Sequence, residues 1–260
     1  MKIPFTKAHG AHNDFLITWH TTIPDHTNLA RLARSICDRH TGVGADGWLI
    51  LSEASNADAA LELWNSDGSK SELSGNGTRC AALYLIENNK AGETVRISTG
   101  AGLKELKLLS RQDREFTFEM NMGRAVMEEL HAKVQGQDCT ILNVGNPQCA
   151  VFATDLNFNW QSVGAAIEGD RCFPNRTNVS FIRPLDRHRL EVRFFERGAG
   201  ETMSSGTGST GAAAAAVARG LAESPVEVLT PAGPLVLRWE NGEILLAGPA
   251  EIVAMGDYYL

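Results

Sequence analysis

Residues 74–82 read SGNGTRCAA and residues 205–213 read SGTGSTGAA, so a Ser-Gly-x-Gly loop followed by small residues occurs twice. The two stretches lie 131 residues apart (205 − 74). The same offset relates TGAGL at residues 99–103 to TPAGP at residues 230–234. Because this offset is about half of the 260-residue chain, the matches indicate an internal duplication.

The duplication predicts two similarly built domains. A third match in the same register joins residues 63–65 to residues 194–196. We predict a first domain at residues 1–117, joined by a C-terminal tail of about residues 252–260, and a second domain at residues 118–251. The length of 260 residues suits two ordinary domains.

Apolar periodicity and glycine turns predict the order strand, turn, helix and strand in each half. The first half has predicted strands at Ala59–Trp64 and Glu115–Met120, a turn at Asp67–Gly68 and a helix at Ala81–Asn88. The second half has predicted strands at Leu190–Phe195, Val226–Leu229, Leu235–Trp239 and Glu243–Leu246, a loop at Gly198–Gly208 and a helix at Gly211–Arg219. The predicted fold class is mixed α and β (α+β), strand-rich around one central helix in each half.

Composition excludes several classes of protein. Hydrophobic residues make up 43% of the chain and charged residues 21%, as in ordinary globular proteins. The net charge of −7, without a run of Lys or Arg, argues against a nucleic-acid partner. The longest apolar run, Ala212–Ala218, is too short to span a membrane, and the start MKIPFTKAHG lacks the apolar stretch of a signal peptide. We therefore expect a cytoplasmic protein with no membrane partner.

Neither a disulfide framework nor a metal site is indicated. The five cysteines include no CxxC pair, and the seven histidines are scattered, so no metal is predicted. Free thiols in a reducing compartment are expected.

The two Ser-Gly-x-Gly loops suit an anion. Each loop is followed by small residues typical of a helix, and a helix N-terminus offers unpaired N–H groups and a positive dipole end to a carboxylate or phosphate. If the halves pack about a pseudo-two-fold axis, both loops clamp one anionic group. Glycine also serves simple tight connections, and that interpretation stays open for each loop. Neither loop is a P-loop or a complete dinucleotide-binding motif.

Several turns carry amide side chains, which suit a polar, zwitterionic ligand. They are His12–Asp14, Asn65–Gly68, Gly145–Gln148 and Arg176–Asn178. Amides in turns also bond their own backbone, which is the alternative interpretation. Arg197 is suited to bind a distal carboxylate through two parallel hydrogen bonds, or to form an internal ion pair.

An ordered set of motifs spans nearly the whole chain. The motifs are His9–Gly10, Asn13–Phe15, Asp38–His40, Gly42–Gly47, Asn65–Ser69, Gly75–Cys80, Gly145–Pro147 and Glu196–Thr202. Together they resemble the diaminopimelate epimerase family. The resemblance implies two pseudo-symmetric domains, each a curled, mostly antiparallel sheet around a central helix, with the active site in the cleft between them.

The resemblance also implies a reaction without pyridoxal phosphate or any other cofactor. Members interconvert LL- and meso-diaminopimelate, a precursor of lysine and peptidoglycan. One cysteine thiolate removes the α-proton, and a second cysteine returns a proton on the opposite face.

This chain departs from the family at the catalytic positions. Ser74 and Ser205 stand where the resemblance places the two cysteines, and Gln148 stands where it places a histidine. Glu196 matches the acidic partner of the second cysteine. The implied substrate-binding residues are Asn13, Asn65, Gly75, Asn76, Asn146, Asn178, Glu196, Arg197, Gly206 and Thr207.

Replacing a thiol by an alcohol greatly increases the free energy needed to form the anion. An alcohol is about as weak an acid as water, so its pKa lies roughly seven units above that of a thiol. Forming the anion therefore costs about 10 kcal/mol more at ~1.36 kcal/mol per unit. Ser74 alone is a poor base, whereas Glu196 or Glu201 is a candidate base acting through Ser205. Cys80 and Cys149 are expected to be small buried residues.

Three explanations of the serines stay open. In the first, the serines are introduced substitutions, although Gln148 would then require a third change. In the second, the chain is a natural relative that catalyses another α-proton reaction, such as a dehydration. In the third, the chain binds an amino acid without epimerising it. We predict a PLP-independent amino-acid epimerase or isomerase acting on a small amino-acid substrate. The one protein partner that we consider is a second copy of the chain, in a homodimer.

Overall fold

The computed structural model describes residues 1–260, which divide into two compact units. Unit 1 comprises Met1–Met120 and Gly248–Leu260, and unit 2 comprises Asn121–Ala247. Seventeen strands and four α-helices form the chain, so the predicted α+β class is confirmed. None of the helices combines the length and the apolar composition that a membrane span requires.

The elements follow the same order in both parts of the chain, except that the second part begins with an additional strand, β9. The first part contains β1 (Lys2–Gly10), β2 (Asn13–Trp19), α1 (Leu29–Cys37), β3 (Gly47–Ser52), β4 (Ala59–Asn65), β5 (Lys70–Ser71), α2 (Gly75–Glu87), β6 (Thr94–Thr99), β7 (Gly102–Gln112) and β8 (Glu115–Gly123). The second part contains β9 (Val126–Val134), β10 (Gln137–Asn143), β11 (Pro147–Phe152), α3 (Trp160–Glu168), β12 (Asn178–Asp186), β13 (Arg189–Glu196), β14 (Gly200–Thr202), α4 (Gly206–Ala218), β15 (Val226–Thr230), β16 (Gly233–Glu240) and β17 (Glu243–Tyr259).

Strand pairing repeats the same topology in each unit. In unit 1, β1–β2, β3–β4, β4–β5 and β6–β7 are antiparallel, while β2–β3 and β4–β6 are parallel. In unit 2, β10–β11, β12–β13, β13–β14 and β15–β16 are antiparallel, while β11–β12 and β13–β15 are parallel. The duplication read from the glycine loops therefore extends to the whole pairing scheme.

One helix of each unit is buried on almost every side. Helix α2 packs against β1, β2 and β6, and helix α4 packs against β11, β12 and β13. The residues Ala212–Ala216 of α4 are all buried. A run of alanines lets the strands approach a helix closely, because no side chain extends beyond Cβ. A helix with little amphipathicity is stable only when it is enclosed in this way.

The helices begin earlier than the sequence predicts. Helix α2 starts at Gly75 and not at Ala81, and helix α4 starts at Gly206 and not at Gly211. The predictions were wrong because glycine disfavours helix interiors, whereas a serine immediately before each helix supplies an N-cap. A Cβ at Gly208 would lie 2.7 Å from Phe194 Cδ1, so the first turn of α4 requires a residue without a side chain.

One strand prediction and one loop prediction also differ from the structure. Strand β17 continues from Glu243 to Tyr259, far beyond Leu246, because its second half pairs with β1. The predicted loop Gly198–Gly208 contains the short strand β14, which pairs with β13. A local pattern does not reveal such pairings, since the partner strand lies elsewhere in the sequence.

Candidate active site

Ser205 lies at the N-terminus of α4 beside a buried carboxyl group. Its Oγ accepts a hydrogen bond from the Gly208 backbone N–H at 3.0 Å. Burial raises the pKa of Glu196, although hydrogen bonds from Thr202 and Ser205 oppose the rise. The Thr202 hydroxyl donates to Glu196 Oε1 at 2.7 Å. Glu196 as a whole residue is only half-buried, but its carboxyl group is desolvated, which makes it a stronger base than an exposed carboxylate.

Glu201 is not placed to act on Ser205. The residue is exposed, and its carboxylate accepts a hydrogen bond from Gln161 Nε2 at 3.3 Å. Of the two candidate bases named from the sequence, the structure brings only Glu196 against the serine.

Ser74 lies at the N-terminus of α2 with the same backbone geometry as Ser205. Its Oγ accepts from the Gly77 backbone N–H at 3.1 Å, and the Thr78 hydroxyl donates to the Ser74 carbonyl at 2.7 Å. No carboxylate contacts this serine. The position that corresponds to Glu196 in the repeat is Asn65, whose Nδ2 donates to Ser69 Oγ at 2.9 Å. The two serines therefore share a cap and differ in their chemical surroundings.

Gln148 and Asn146 form a small network against the second loop. Gln148 Nε2 donates to Asn146 Oδ1 at 2.6 Å, and Asn146 Nδ2 donates to Thr207 Oγ1 at 3.3 Å. Gln148 is 1% exposed, and its Oε1 has no hydrogen-bond partner. A Cβ at Gly211 would lie 3.1 Å from Gln148 Cγ, so the glycine makes room for the amide. In this network, Gln148 Oε1 is the buried acceptor that no protein group donates to.

Asn178 and Arg197 lie together in unit 2. Asn178 Oδ1 accepts from the Arg197 backbone N–H at 3.0 Å, and its Nδ2 donates to the Pro147 carbonyl at 3.0 Å. The Arg197 side chain is exposed and donates to the Asn175 carbonyl at 3.2 Å. No carboxylate pairs with Arg197, so the internal ion pair considered from the sequence is not formed.

Glu168, which no sequence pattern pointed to, holds the loop that carries Arg197. Its carboxylate accepts from the Gly198 backbone N–H at 3.0 Å and pairs with Arg176. Glu168 is 2% exposed at the C-terminal end of α3, where the helix dipole disfavours an anion. No sequence signal pointed to this contact, because Glu168 and Gly198 lie 30 residues apart along the chain.

Asn13 and Asn76 meet in unit 1. Asn76 Nδ2 donates to Asn13 Oδ1 at 3.3 Å, and Asn13 Nδ2 donates to Asp46 Oδ2 at 2.7 Å. Arg79, which was not among the predicted site residues, donates to Asn76 Oδ1 and is fully buried. The glycines predicted to bind substrate, Gly75 and Gly206, are the first residues of the two central helices.

Cys80 and Cys149 are buried, as expected from the sequence. Burial raises the pKa of Cys80 to about 12. The pKa of Cys149 is also raised, first by its hydrogen bond with Cys139 and then by burial. Neither thiol supplies a thiolate near neutral pH. No group of three or more His, Cys, Asp or Glu side chains is arranged to hold a metal ion.

Comparisons with known proteins agree with the motif set. The family model for diaminopimelate epimerase matches residues 5–128 and 140–259. The chain is 36% identical over 274 aligned positions to the diaminopimelate epimerase of Pelotomaculum thermopropionicum, covering 98% of both chains. It is 34% identical over 280 positions to that of Pseudomonas savastanoi pv. phaseolicola, covering 100% of both.

Solved structures with little sequence identity share the fold. A PhzF-family phenazine biosynthesis protein of Bacillus anthracis superimposes with a TM-score of 0.77 at 14% identity, covering 100% of both chains. A hydroxyproline epimerase from Agrobacterium vitis, with bound trans-4-hydroxy-L-proline, gives a TM-score of 0.73 at 15% identity, covering 98% of this chain and 92% of that chain. The resemblance stated from the motifs is therefore confirmed.

Proposed function

The chain belongs to the diaminopimelate epimerase family, and on that premise we propose that it is a PLP-independent amino-acid epimerase that moves a proton at Cα. The proposed substrates are amino acids whose side chain ends in a second polar group, as in diaminopimelate. The observation that carries the proposal is the desolvated Glu196 carboxyl group against Ser205, because it supplies the base that a serine lacks.

The proton moves in a relay. Ser205 Oγ takes the Cα proton while its own proton passes to a Glu196 carboxylate oxygen, so the serine stays neutral throughout. The electron pair of the broken C–H bond remains on the substrate as a carbanion, delocalised into the α-carboxylate. Glu196 suits this role because its raised pKa lies closer to neutrality than that of an exposed carboxylate.

The N-terminus of α2 and the N-terminus of α4 are each proposed as a binding position for a substrate carboxylate. The first N–H groups of α2 and α4 lack intrahelical partners and carry the positive dipole end, so they stabilise the negative charge that develops on the carboxylate. The proposed donors are Gly75, Asn76, Gly206 and Thr207. The unpaired Oε1 of Gln148 is a suitable acceptor for the substrate ammonium group.

Arg197 is proposed to bind the distal end of the substrate together with Asn178 of the same unit, and Asn65 of unit 1 is proposed as a further substrate-binding residue. The support is that its guanidinium is exposed and pairs with no carboxylate, while its backbone is held by Asn178. A guanidinium binds a carboxylate through two parallel hydrogen bonds, which selects substrates with an acidic second end.

Ser74 is proposed to return a proton on the opposite face, and it transfers protons less effectively than Ser205. Its hydroxyl contacts no carboxylate, so it donates at the acidity of an ordinary alcohol. The Ser74 alkoxide then takes a proton from water and Glu196 releases its proton to water, which restores both groups. Removal of the α-proton and its return by the same relay then occur faster than inversion. We expect exchange of the α-proton with solvent to outpace epimerisation.

The test is to incubate the protein with LL-diaminopimelate in D₂O and follow the α-proton signal by NMR and the meso product by chiral chromatography. Loss of the α-proton, faster than formation of meso product, supports the proposal. The Ser74→Cys, Ser205→Cys double variant is the matched comparison, and we expect it to bring inversion closer to the rate of exchange.

A second function, binding without catalysis, is favoured by one observation: both serine side chains already serve as N-caps. This alternative predicts that LL-diaminopimelate raises the melting temperature of the unaltered protein while its α-proton never exchanges. That result, with exchange restored in the double variant, would overturn the epimerase proposal. The cytoplasmic location and the homodimer stay predictions from the sequence.

A further inference from the structure

Four side chains in unit 1 form one continuous chain of hydrogen bonds, which we call the amide chain: Arg79, Asn76, Asn13 and Asp46. The Arg79 guanidinium donates to Asn76 Oδ1. The Asn76 amide then donates to Asn13 Oδ1 at 3.3 Å. The Asn13 amide donates to Asp46 Oδ2 at 2.7 Å.

The two ends of the amide chain determine its direction. A guanidinium has only donors, and an ionised carboxylate has only acceptors. If the Asn76 amide turned over, its NH₂ group would face the Arg79 donor, and if the Asn13 amide turned over, its oxygen would face the Asp46 carboxylate. Each arrangement brings like groups together, so the chain has one favourable orientation. Each asparagine therefore keeps one N–H and one oxygen lone pair for a ligand, and the position of both is defined by the orientation of the amide.

Arg79 is an unusual residue for such a place. It is fully buried, its Nε donates to the Pro249 carbonyl at 3.1 Å, and its Nη1 has no hydrogen-bond partner. No carboxylate contacts it, and it lies in the second turn of α2, near the positive end of the helix dipole. Burial lowers the pKa of Arg79 to about 10, so it stays charged at neutral pH.

Such a residue is costly for stability alone. A buried cation without an anionic partner is strongly unfavourable, and an apolar residue of similar size would remove the cost. The corresponding position in the repeat is Thr210, which bonds only the Gly206 carbonyl of its own helix. The same fold is thus built in unit 2 without a buried cation at this position, so a structural requirement does not explain Arg79.

We propose that the charged ends of the amide chain, Arg79 and Asp46, are positioning residues that hold the two substrate-binding amides between them in one orientation. Arg79 also adds positive charge behind the first loop, where a substrate carboxylate would compensate it. The inference rests on the proposed function, because it concerns the same substrate site. It adds two residues that touch no substrate and act through Asn13 and Asn76.

The test compares three variants with the unaltered protein. Asp46→Asn keeps the shape of the chain's end but adds a donor, which allows the Asn13 amide to turn over. Arg79→Lys keeps the charge but loses the second donor. Arg219→Gln is the matched control, because Arg219, directly after the last residue of α4, has a nearly buried side chain that bonds Asp138 and Thr140 and takes no part in the amide chain.

The first measurement uses the protein without ligand. In ¹⁵N–¹H spectra, the side-chain NH₂ signals of Asn13 and Asn76 are identified by their loss in Asn13→Ala and Asn76→Ala. We expect Asp46→Asn and Arg79→Lys to shift or broaden both signals, and Arg219→Gln to leave them in place although it lowers the melting temperature. Unmoved signals in both test variants would overturn the inference, whatever the protein's activity.

The second measurement is calorimetric titration with LL-diaminopimelate. We expect each test variant to weaken binding at least tenfold and the control to keep its affinity within twofold. Shifted amide signals with unchanged affinity would show that the amides do not serve recognition and would overturn the positioning role. If the unaltered protein does not bind this amino acid, the proposed function fails, while the spectra still decide whether the charged ends orient the amides.

Discussion

The loop at Ser74–Gly77 and the loop at Ser205–Gly208 have the same backbone conformation, but the ionisable groups buried next to them are of opposite charge type. Behind the first loop lies a guanidinium, Arg79, and beside the second lies a carboxyl group, Glu196. Each serine accepts the N–H of the residue three positions later, at 3.1 Å and 3.0 Å respectively. Duplication thus preserved the cap and the topology, while the chemistry of each half diverged at positions that the backbone does not constrain.

The difference indicates which half removes a proton. A desolvated carboxylate is a base, whereas a buried guanidinium is charged at all relevant pH values and can only stabilise anions. The second loop is therefore suited to proton abstraction and the first to holding negative charge. The following predictions test this division, beginning with the largest expected effect.

Glu196→Gln should abolish most of the α-proton exchange. Gln keeps the size of the side chain and can still accept from Thr202, but it cannot take up a proton from Ser205. Removing a general base typically costs a factor of about 10² to 10⁴ in rate. The measurement is loss of the α-proton of LL-diaminopimelate in D₂O, with circular dichroism to verify the fold.

Ser74→Ala is the matched variant in the other half. If only the second loop removes the proton, this variant should keep most of the exchange and lose the inversion to meso product. An equal loss of exchange in Ser74→Ala and Glu196→Gln would contradict the division between the loops.

Arg197→Met should cost most of the ligand affinity. The guanidinium is exposed without a carboxylate partner, so its loss should weaken ligand binding and leave the fold nearly unchanged. A charge-assisted hydrogen-bonded pair contributes about 1.5–3 kcal/mol, or roughly 10- to 100-fold in Kd. Calorimetric titration with LL-diaminopimelate measures this, and unchanged binding would remove Arg197 from the site.

The two halves should respond to pH in opposite directions. The raised folded-state pKa of Glu196 means that the unfolded chain loses this proton first as pH rises above 4.5, so stability falls through that window. Partial burial by itself would raise the pKa of Asp14, but Arg39 and Lys7 outweigh it and hold the pKa below 3.8. Asp14 therefore stabilises the protein above that value, and the contribution is lost as pH falls.

Urea unfolding between pH 3 and pH 8 separates these contributions. Relative to the unaltered protein, Glu196→Gln should gain stability as pH rises above 4.5, and Asp14→Asn should lose stability as pH rises from 3 toward 5. A difference between Glu196→Gln and the unaltered protein that does not vary with pH would show that the carboxyl group is not desolvated.

The smallest expected effect concerns the caps. Ser74→Ala should lower the free energy of unfolding by about 1 kcal/mol, since it removes one N-cap. Ser205→Ala should cost at least as much, because it also takes a hydrogen bond from Glu196. Equilibrium denaturation compares them, and a Ser205→Ala variant that is less destabilised than Ser74→Ala would argue against the contact with Glu196.

The sequence predicted the repeat, the α+β class and the family from short motifs whose residue types are tied to backbone form. Gly208 is an example, because a side chain there would strike Phe194. The helix starts were missed, since a stretch rich in glycine and polar residues looks like a loop until a serine cap and a surrounding sheet are in place. Glu168 and Arg79 were missed for a related reason, because isolated charges in a sequence do not show what they contact.

The sequence by itself determined that the two loops recur and that serines replace the expected cysteines, because both facts are matters of order along the chain. Only the tertiary structure decided that Glu196, and not Glu201, contacts Ser205, and that Arg197 has no carboxylate partner. Burial and hydrogen bonding between distant residues set these properties. They arise when strands β13 and β14 pair and the central helix is enclosed, and no local pattern encodes them.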